Sequence, residues 1–199
     1  MKFTRAKIED VVICEPTVHG DERGYFIETF REDKLFDFLG YKISFCQDNE
    51  SKSSYGVIRG LHYQLPPYAQ TKLVRVIQGR VLDVAVDIRK DSPTFGQHIA
   101  IELSAENKKQ LLVPRGFAHG FVVLEDNTIF AYKVDNYYSP KCDRGIAFDD
   151  KDIAIDWQIS VDKLKLSQKD KIQPKLSETI DLFEFGVDYY NDEFLNTKL

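Results

Sequence analysis

Between Gly56 and Leu73 the chain reads GVIRGLHYQLPPYAQTKL, a short stretch holding an arginine, a histidine and a lysine: Arg59, His62 and Lys72. An imidazole titrates close to neutral pH and can take and return a proton. A guanidinium engages two oxygens of an anion at once, and an ammonium in a dry site offsets charge growing on an oxygen. The stretch reads as strand, turn, strand, with Val57 and Ile58 opening the first strand, Pro66-Pro67 marking the turn and an apolar run from Leu73 onward. Strand alternation puts His62 on one face with Gly60 and Gln64, and Arg59 on the other with Leu61 and Tyr63. A glycine two residues before the histidine predicts room for a ligand beside the imidazole. Taken alone, His62 also suits a structural role on a half-buried strand.

The elements that would carry these groups are mostly strands. Residues 8–15 (IEDVVICE) predict a first strand, followed by a turn-rich loop, HGDERGYF, and a second strand over 26–30. Residues 31–40 (REDKLFDFLG) predict a helix, with Leu35, Phe38 and Leu39 at helical spacing and Gly40 as its C-cap. A strand over 45–51 places Gln47 and Asn49 on one face, two amides suited to a sugar or base. Strands over 57–63, 72–78, 81–88, 97–103, 110–113, 119–124 and 128–134 follow, separated by turn residues such as Gln78-Gly79-Arg80 and Asp91-Ser92-Pro93. Along 81–88, Leu82, Val84, Val86 and Ile88 alternate with Asp83, Ala85 and Asp87. This succession predicts an all-β sandwich or barrel and not βαβ units. The region from 145 onward is mixed, and its last ten or so residues read as loosely ordered.

A chain of 199 residues suits one large domain, here taken as 1–199. Its 43% hydrophobic and 30% charged residues place it in the globular range. The net charge of −5 argues against nucleic-acid binding, so an anionic ligand needs a local cationic cluster. No apolar run approaches 18 residues and MKFTRAKIED is too polar for a signal peptide, which predicts no membrane partner. Cys14, Cys46 and Cys142 are widely spaced without a C-x-x-C, pointing to reduced thiols and a cytoplasmic protein.

Several long blocks, RGLHYQ at 59–64, TKLVRVIQGRVLDVAVDIRKDSPTFGQ at 71–97, LSAENKKQLLVPRGFAHGF at 103–121 and YKVDNYYSP at 132–140, together resemble the dTDP-4-dehydrorhamnose 3,5-epimerase family. DERGYFIETF at 21–30 and LSQKD at 166–170 extend the likeness, which covers the chain to about residue 175. The resemblance implies a cupin-type double-stranded β-helix (jelly roll) with short peripheral helices, a homodimer that exchanges N-terminal strands, and no cofactor. Residues from about 180 to 199 stand outside it as an extension without a usable motif.

The substrate so implied is a dTDP-4-keto-6-deoxy sugar, whose C3 and C5 protons flank the C4 ketone and become removable once the enolate oxygen is stabilised. The resemblance makes His62 the base, Asp170 the carboxylate that orients it, Lys72 the cation at the C4 oxygen and Tyr132 the acid on the opposite face, with Tyr138 second choice for the acid. It makes Arg23 and Arg59 the diphosphate contacts and lines the pocket with Phe26, Glu28, Gln47, Asn49 and His119. Arg23, Phe26 and Glu28 are the ones expected to serve a neighbouring subunit's site.

Three rivals remain at this level. A metal-dependent cupin fits PRGFAH, whose His119 is a ligand position, but His62 is followed by Tyr63 and Gln64, so the H-x-H pair is missing and no metal is expected. A non-catalytic sugar-nucleotide binder would not need His62, Asp170 and Tyr132 together. A mono-epimerase at C3 or C5, or a 3,4-ketoisomerase, shares so many residues that motif reading leaves it open.

Overall fold

The computed structural model describes residues 1–191, so the final eight residues of the C-terminal extension, and with them the expectation of loose order there, lie outside the described residues. In chain order the strands are β1 (Lys2–Arg5), β2 (Val12–Glu15), β3 (Val18–Asp21), β4 (Gly24–Ile27), β5 (Gln47–Ser53), β6 (Ile58–Gln64), β7 (Lys72–Gln78) and β8 (Arg80–Asp87). They continue as β9 (Arg89–Lys90), β10 (His98–Ser104), β11 (Gln110–Val113), β12 (Phe117–Val123), β13 (Thr128–Val134), β14 (Asp143–Gly145) and β15 (Phe183–Glu184). One helix, α1 (Glu32–Leu39), ends at Gly40, whose left-handed backbone (φ 82°) lets its N–H reach the Phe36 carbonyl at 2.8 Å.

Two antiparallel sheets make the all-β jelly roll. One has the order β1-β2-β11-β7-β13-β5 and the other β10-β8-β12-β6-β14. Val74, Val76 and Phe130 from the first meet Val81, Ala85, Phe121 and Val123 from the second in the core between them. The outer faces are covered as well. Helix α1 packs Leu35 over Val12, Leu73 and Leu112 on the six-stranded sheet. Residues 146–183 lay Ile146, Ile153, Trp157, Leu176 and Phe183 over Leu82, Val84, Val86 and Ile88 on the five-stranded one. Each such apolar side chain, fully buried, contributes about 1.5–3 kcal/mol against exposure.

The strands predicted from 57 to 134 are all present, displaced at their ends by two residues or fewer. Three stretches differ. Only Val12–Glu15 of the predicted first strand pairs, because Val11 N–H turns back to the Ile8 carbonyl at 3.0 Å. The loop HGDERGYF is a hairpin, β3–β4, closed where Asp21 Oδ1 accepts the Arg23 N–H at 2.9 Å and Gly24 takes φ 127°. The described part of the C-terminal extension, to residue 191, packs into the fold. β15 pairs in parallel with β9, Phe183 is 1% exposed against Tyr63, and the Asp181 carbonyl accepts the Tyr63 hydroxyl at 2.7 Å.

Candidate active site

The chemistry gathers on β6 because that strand does not alternate cleanly. His62 pairs with His119 but Arg59 pairs with Phe121, so β6 carries one residue more than β12 between them. The extra residue falls at Gly60-Leu61 and reverses the parity of the strand. Arg59 and His62 therefore face one cavity, while Ile58, Leu61 and Tyr63 pack on the outer face. This corrects the expected opposition of Arg59 and His62. It also corrects the reading of Gly60 as room for a ligand. A Cβ there would lie 2.5 Å from the Gly120 Cα, and one at Gly120 would lie 2.7 Å from the Arg59 carbonyl oxygen. Gly60, at φ 123°, is a glycine so that two backbones can cross.

The cavity, about 350 Å³, lies between the sheets. The five-stranded sheet supplies Arg59 and His62 from β6 and His119 and Phe121 from β12. The six-stranded sheet faces them with Asn49 and Ser51 from β5, Lys72 from β7, and Phe130 and Tyr132 from β13. Glu50 of β5, with Ser167 and Asp170 beside and within a single 3₁₀ turn at Asp170–Ile172, completes the lining. His62 and Tyr132 thus stand on opposite sheets of the sandwich.

Two histidine–carboxylate pairs are built into this space. His62 Nε2 lies 2.6 Å from Asp170 Oδ1, and Ser167 donates to Asp170 Oδ2 at 2.7 Å. An ionised carboxylate can only accept, so the shared proton sits on Nε2 and Nδ1 keeps the lone pair of a base. Burial acts to raise the Asp170 carboxyl, but the bonds from His62 and Ser167 outweigh it and hold the group below its ordinary range. The second pair is His119 Nε2 with Asp83, at 2.9 and 3.1 Å from the two carboxylate oxygens. Burial raises the Asp83 carboxyl, opposed by His119 and Lys72.

Lys72 Nζ donates to the His62 carbonyl at 3.4 Å, and burial pushes its ammonium down to about 8. Burial also raises the Tyr132 phenol, with Arg59 working the other way. Tyr132 is therefore a neutral O–H at neutral pH, with a cation near enough to steady the phenolate left when it gives up its proton.

Of the expected residues, the cavity unites His62, Lys72, Tyr132, Asp170, Arg59, Asn49 and His119. Gln47 stands one step behind, donating to Asn49 Oδ1 at 2.7 Å. Tyr138 does not join them: it is 60% exposed and donates to Asp143 at 2.9 Å. Arg23, Phe26 and Glu28 also lie elsewhere. Arg23 pairs with Asp21 on the hairpin, Phe26 is 69% exposed, and Glu28 is held by Arg31 and Lys34. Sequence reasoning missed Asp83, Ser167, Phe121 and Phe130. Ser167 lies in the LSQKD block without standing out, and Asp83 is a charged residue in the alternation of 81–88 that shares its pattern with Asp87. Among the described residues no three His, Cys, Asp or Glu side chains come together as a metal site, and no helix is long and apolar enough to cross a membrane.

A family model described as dTDP-4-dehydrorhamnose 3,5-epimerase matches residues 5–178. The dTDP-4-dehydrorhamnose 3,5-epimerase of Escherichia coli K12 is 52% identical over 182 residues, 92% of this chain and 98% of its own. A solved dTDP-6-deoxy-D-glucose-3,5-epimerase from Legionella pneumophila, in complex with dTDP-4-keto-L-rhamnose, is 44% identical with a TM-score of 0.88, covering 94% of this chain and 99% of that one. A 3′-monoepimerase from Streptomyces bikiniensis, in complex with dTDP-quinovose, is 31% identical with a TM-score of 0.82, covering 86% of each chain.

Proposed function

The chain belongs to the dTDP-4-dehydrorhamnose 3,5-epimerase family, and on that premise we propose that it inverts C3 and C5 of a dTDP-4-keto-6-deoxy sugar. The observation that carries the mechanism is the placing of His62 and Tyr132 on opposite sheets across one cavity. His62, oriented by Asp170, takes the proton from a carbon next to the ketone. The electron pair moves onto the C4 oxygen, where the Lys72 ammonium meets it. Tyr132 then delivers a proton to the other face of the same carbon; once His62 has passed its proton to solvent and the Tyr132 phenolate has taken one back, the cycle repeats at the second centre. A well-placed base of this kind is worth about 10²–10⁴-fold in rate. Arg59 binds the diphosphate, Asn49 with Gln47 behind it binds the sugar or base, and His119, held by Asp83, completes the wall beside Lys72.

The proposal extends to a homodimer in which the β3–β4 hairpin serves the neighbouring site. Among the described residues β3 and β4 pair only with each other, and Tyr25 and Phe26 stand 60% and 69% exposed. A lone two-stranded hairpin is marginal in water and gains stability against a second surface. Arg23, Phe26 and Glu28 then act on the neighbour's substrate. The spacing of the cysteines keeps a cytoplasmic location within the same reading.

Double inversion is preferred to single because the relatives that invert both centres are more similar to this chain than the monoepimerase is. Proton NMR of dTDP-4-keto-6-deoxyglucose in deuterium oxide tests this. Loss of hydrogen at C3 and C5, with both centres inverted, is expected. Exchange at one carbon would make the enzyme a monoepimerase, and no exchange would end the proposal. His62→Ala is expected to lose exchange at both carbons; substantial residual exchange would remove His62 from the base role.

A further inference from the structure

Residues 179–191 lie beyond the matched region and run back over the molecule toward the strand that carries Lys72. Tyr190 lies near the end of the described part of this return. Its ring centre is 4.9 Å from that of Tyr41, and the Arg115 guanidinium lies 4.8 Å over it. Its hydroxyl shares a hydrogen bond with Thr71 Oγ1 at 2.8 Å and accepts the Arg115 backbone N–H at 3.3 Å. Thr71 is 0% exposed and directly precedes Lys72. The Thr71 N–H donates to Asp135 Oδ1 at 2.6 Å, and its carbonyl accepts the Asp135 N–H at 3.3 Å. Asp135 follows β13, the strand of Tyr132, and pairs with Arg115 at 3.0 Å, the two side chains 3% and 4% exposed. The Tyr190 hydroxyl therefore closes a buried polar junction joining the start of β7, the end of β13 and the turn between β11 and β12.

We infer that Tyr190 is a positioning residue for Lys72: by gripping Thr71 it fixes the first turn of chain entering β7, and with it the ammonium at the C4 oxygen. Lys72 pairs with Val134 at this same end of the sheet, so the junction also sets Lys72 against the strand of Tyr132. Buried polar networks specify one arrangement of the groups they join, and in this one Arg115 Nε alone lacks a hydrogen-bond partner among the described residues. A small misplacement of a catalytic group is costly in rate. Burial raises the Tyr190 phenol far above its ordinary value, so the hydroxyl stays neutral across the working range. The inference rests on the role proposed for Lys72.

Tyr190→Phe keeps the ring against Tyr41 and Arg115 and removes only the hydroxyl; Thr71→Val removes the other half of the bond at nearly constant volume. Each variant is expected to lower kcat about tenfold, with KM and dTDP affinity unchanged. The double variant should fall by less than the product of the two single losses, because the Tyr190–Thr71 bond is counted in both, while Tyr190→Phe also loses the Arg115 N–H and Thr71→Val also loses a bond to Asp135. Thr71→Ser, which retains the oxygen, should keep the wild-type kcat. If Tyr190→Phe fails to fold, the contrast between Thr71→Val and Thr71→Ser reads the same bond. Unchanged kcat per folded molecule with only a lower Tm would overturn the inference and leave Tyr190 a structural residue, as would additive losses in the double variant. Lys72→Ala in the same assay separates the two levels. If it leaves kcat intact, the reading of Lys72 fails; if it loses rate while Tyr190→Phe does not, only this inference falls.

Discussion

Lys72 holds its charge against its surroundings. Burial lowers the ammonium from 10.5 to about 8, while Asp83 and Asp143 pull the other way. Activity and stability then respond oppositely to base. The neutral amine cannot offset the enolate, so kcat/KM is expected to fall as pH rises through about 8. Between about 8 and 10.5 the unfolded chain binds the proton that the folded chain has lost, so this group's contribution to stability rises with pH over that window. A pH profile of kcat/KM beside thermal melts checks both; a rate that stays level to pH 10 would contradict the placement of Lys72. His62, Lys72 and Asp170 were legible because each sits in a block with its own pattern. Asp83 was not, since its partner His119 lies 36 positions away on a neighbouring strand. In sequence Asp83 looks no different from Asp87, which serves Arg89, Ser92 and Thr94 in a structural cluster.

At the scale of elements, alternation succeeds where a strand is regular and fails where one residue is inserted. On β13 Phe130 and Tyr132 face the cavity as period two requires, while on β5 Asn49, Glu50 and Ser51 all reach its lining. On β6 the insertion opposite Gly120 turns Arg59 to the side of His62, and nothing in RGLHYQ marks it without the register of β12. The hairpin β3–β4 was hidden for another reason: its strands are short and exposed, so no buried face leaves a pattern. Its isolation carries the expectation that sites are shared between subunits. Arg23→Ala and His62→Ala chains, each defective alone at limiting substrate, should complement when co-folded. A mixed dimer then holds one site with both residues intact, and random pairing restores about a quarter of wild-type activity. Activity no higher than that of the parents would place Arg23 outside the site.

For the whole molecule, an all-β sandwich or barrel was legible from the even spacing of short strands, and the sequence blocks carried the choice of jelly roll and of family. The C-terminal return was not, because Phe183, Tyr189 and Tyr190 sit in a charged, weakly periodic tail whose partners, Tyr63, Arg115 and Thr71, are distant in sequence. With both sheet faces covered, the sandwich is a stiff frame, and the cavity inside it has two chemically different walls. His62, the proposed base, stands on the five-stranded wall; Tyr132, the proposed acid, and the Lys72 ammonium stand on the six-stranded one. Removing the acid should therefore separate proton removal from inversion. The direct measurement is the ratio of hydrogen loss at C5 to inversion at C5 in Tyr132→Phe, followed by proton NMR in deuterium oxide. The account predicts that hydrogen is still lost while inversion falls well behind it. Inversion at the wild-type rate, or exchange and inversion failing together, would contradict the arrangement of base and acid across the cavity.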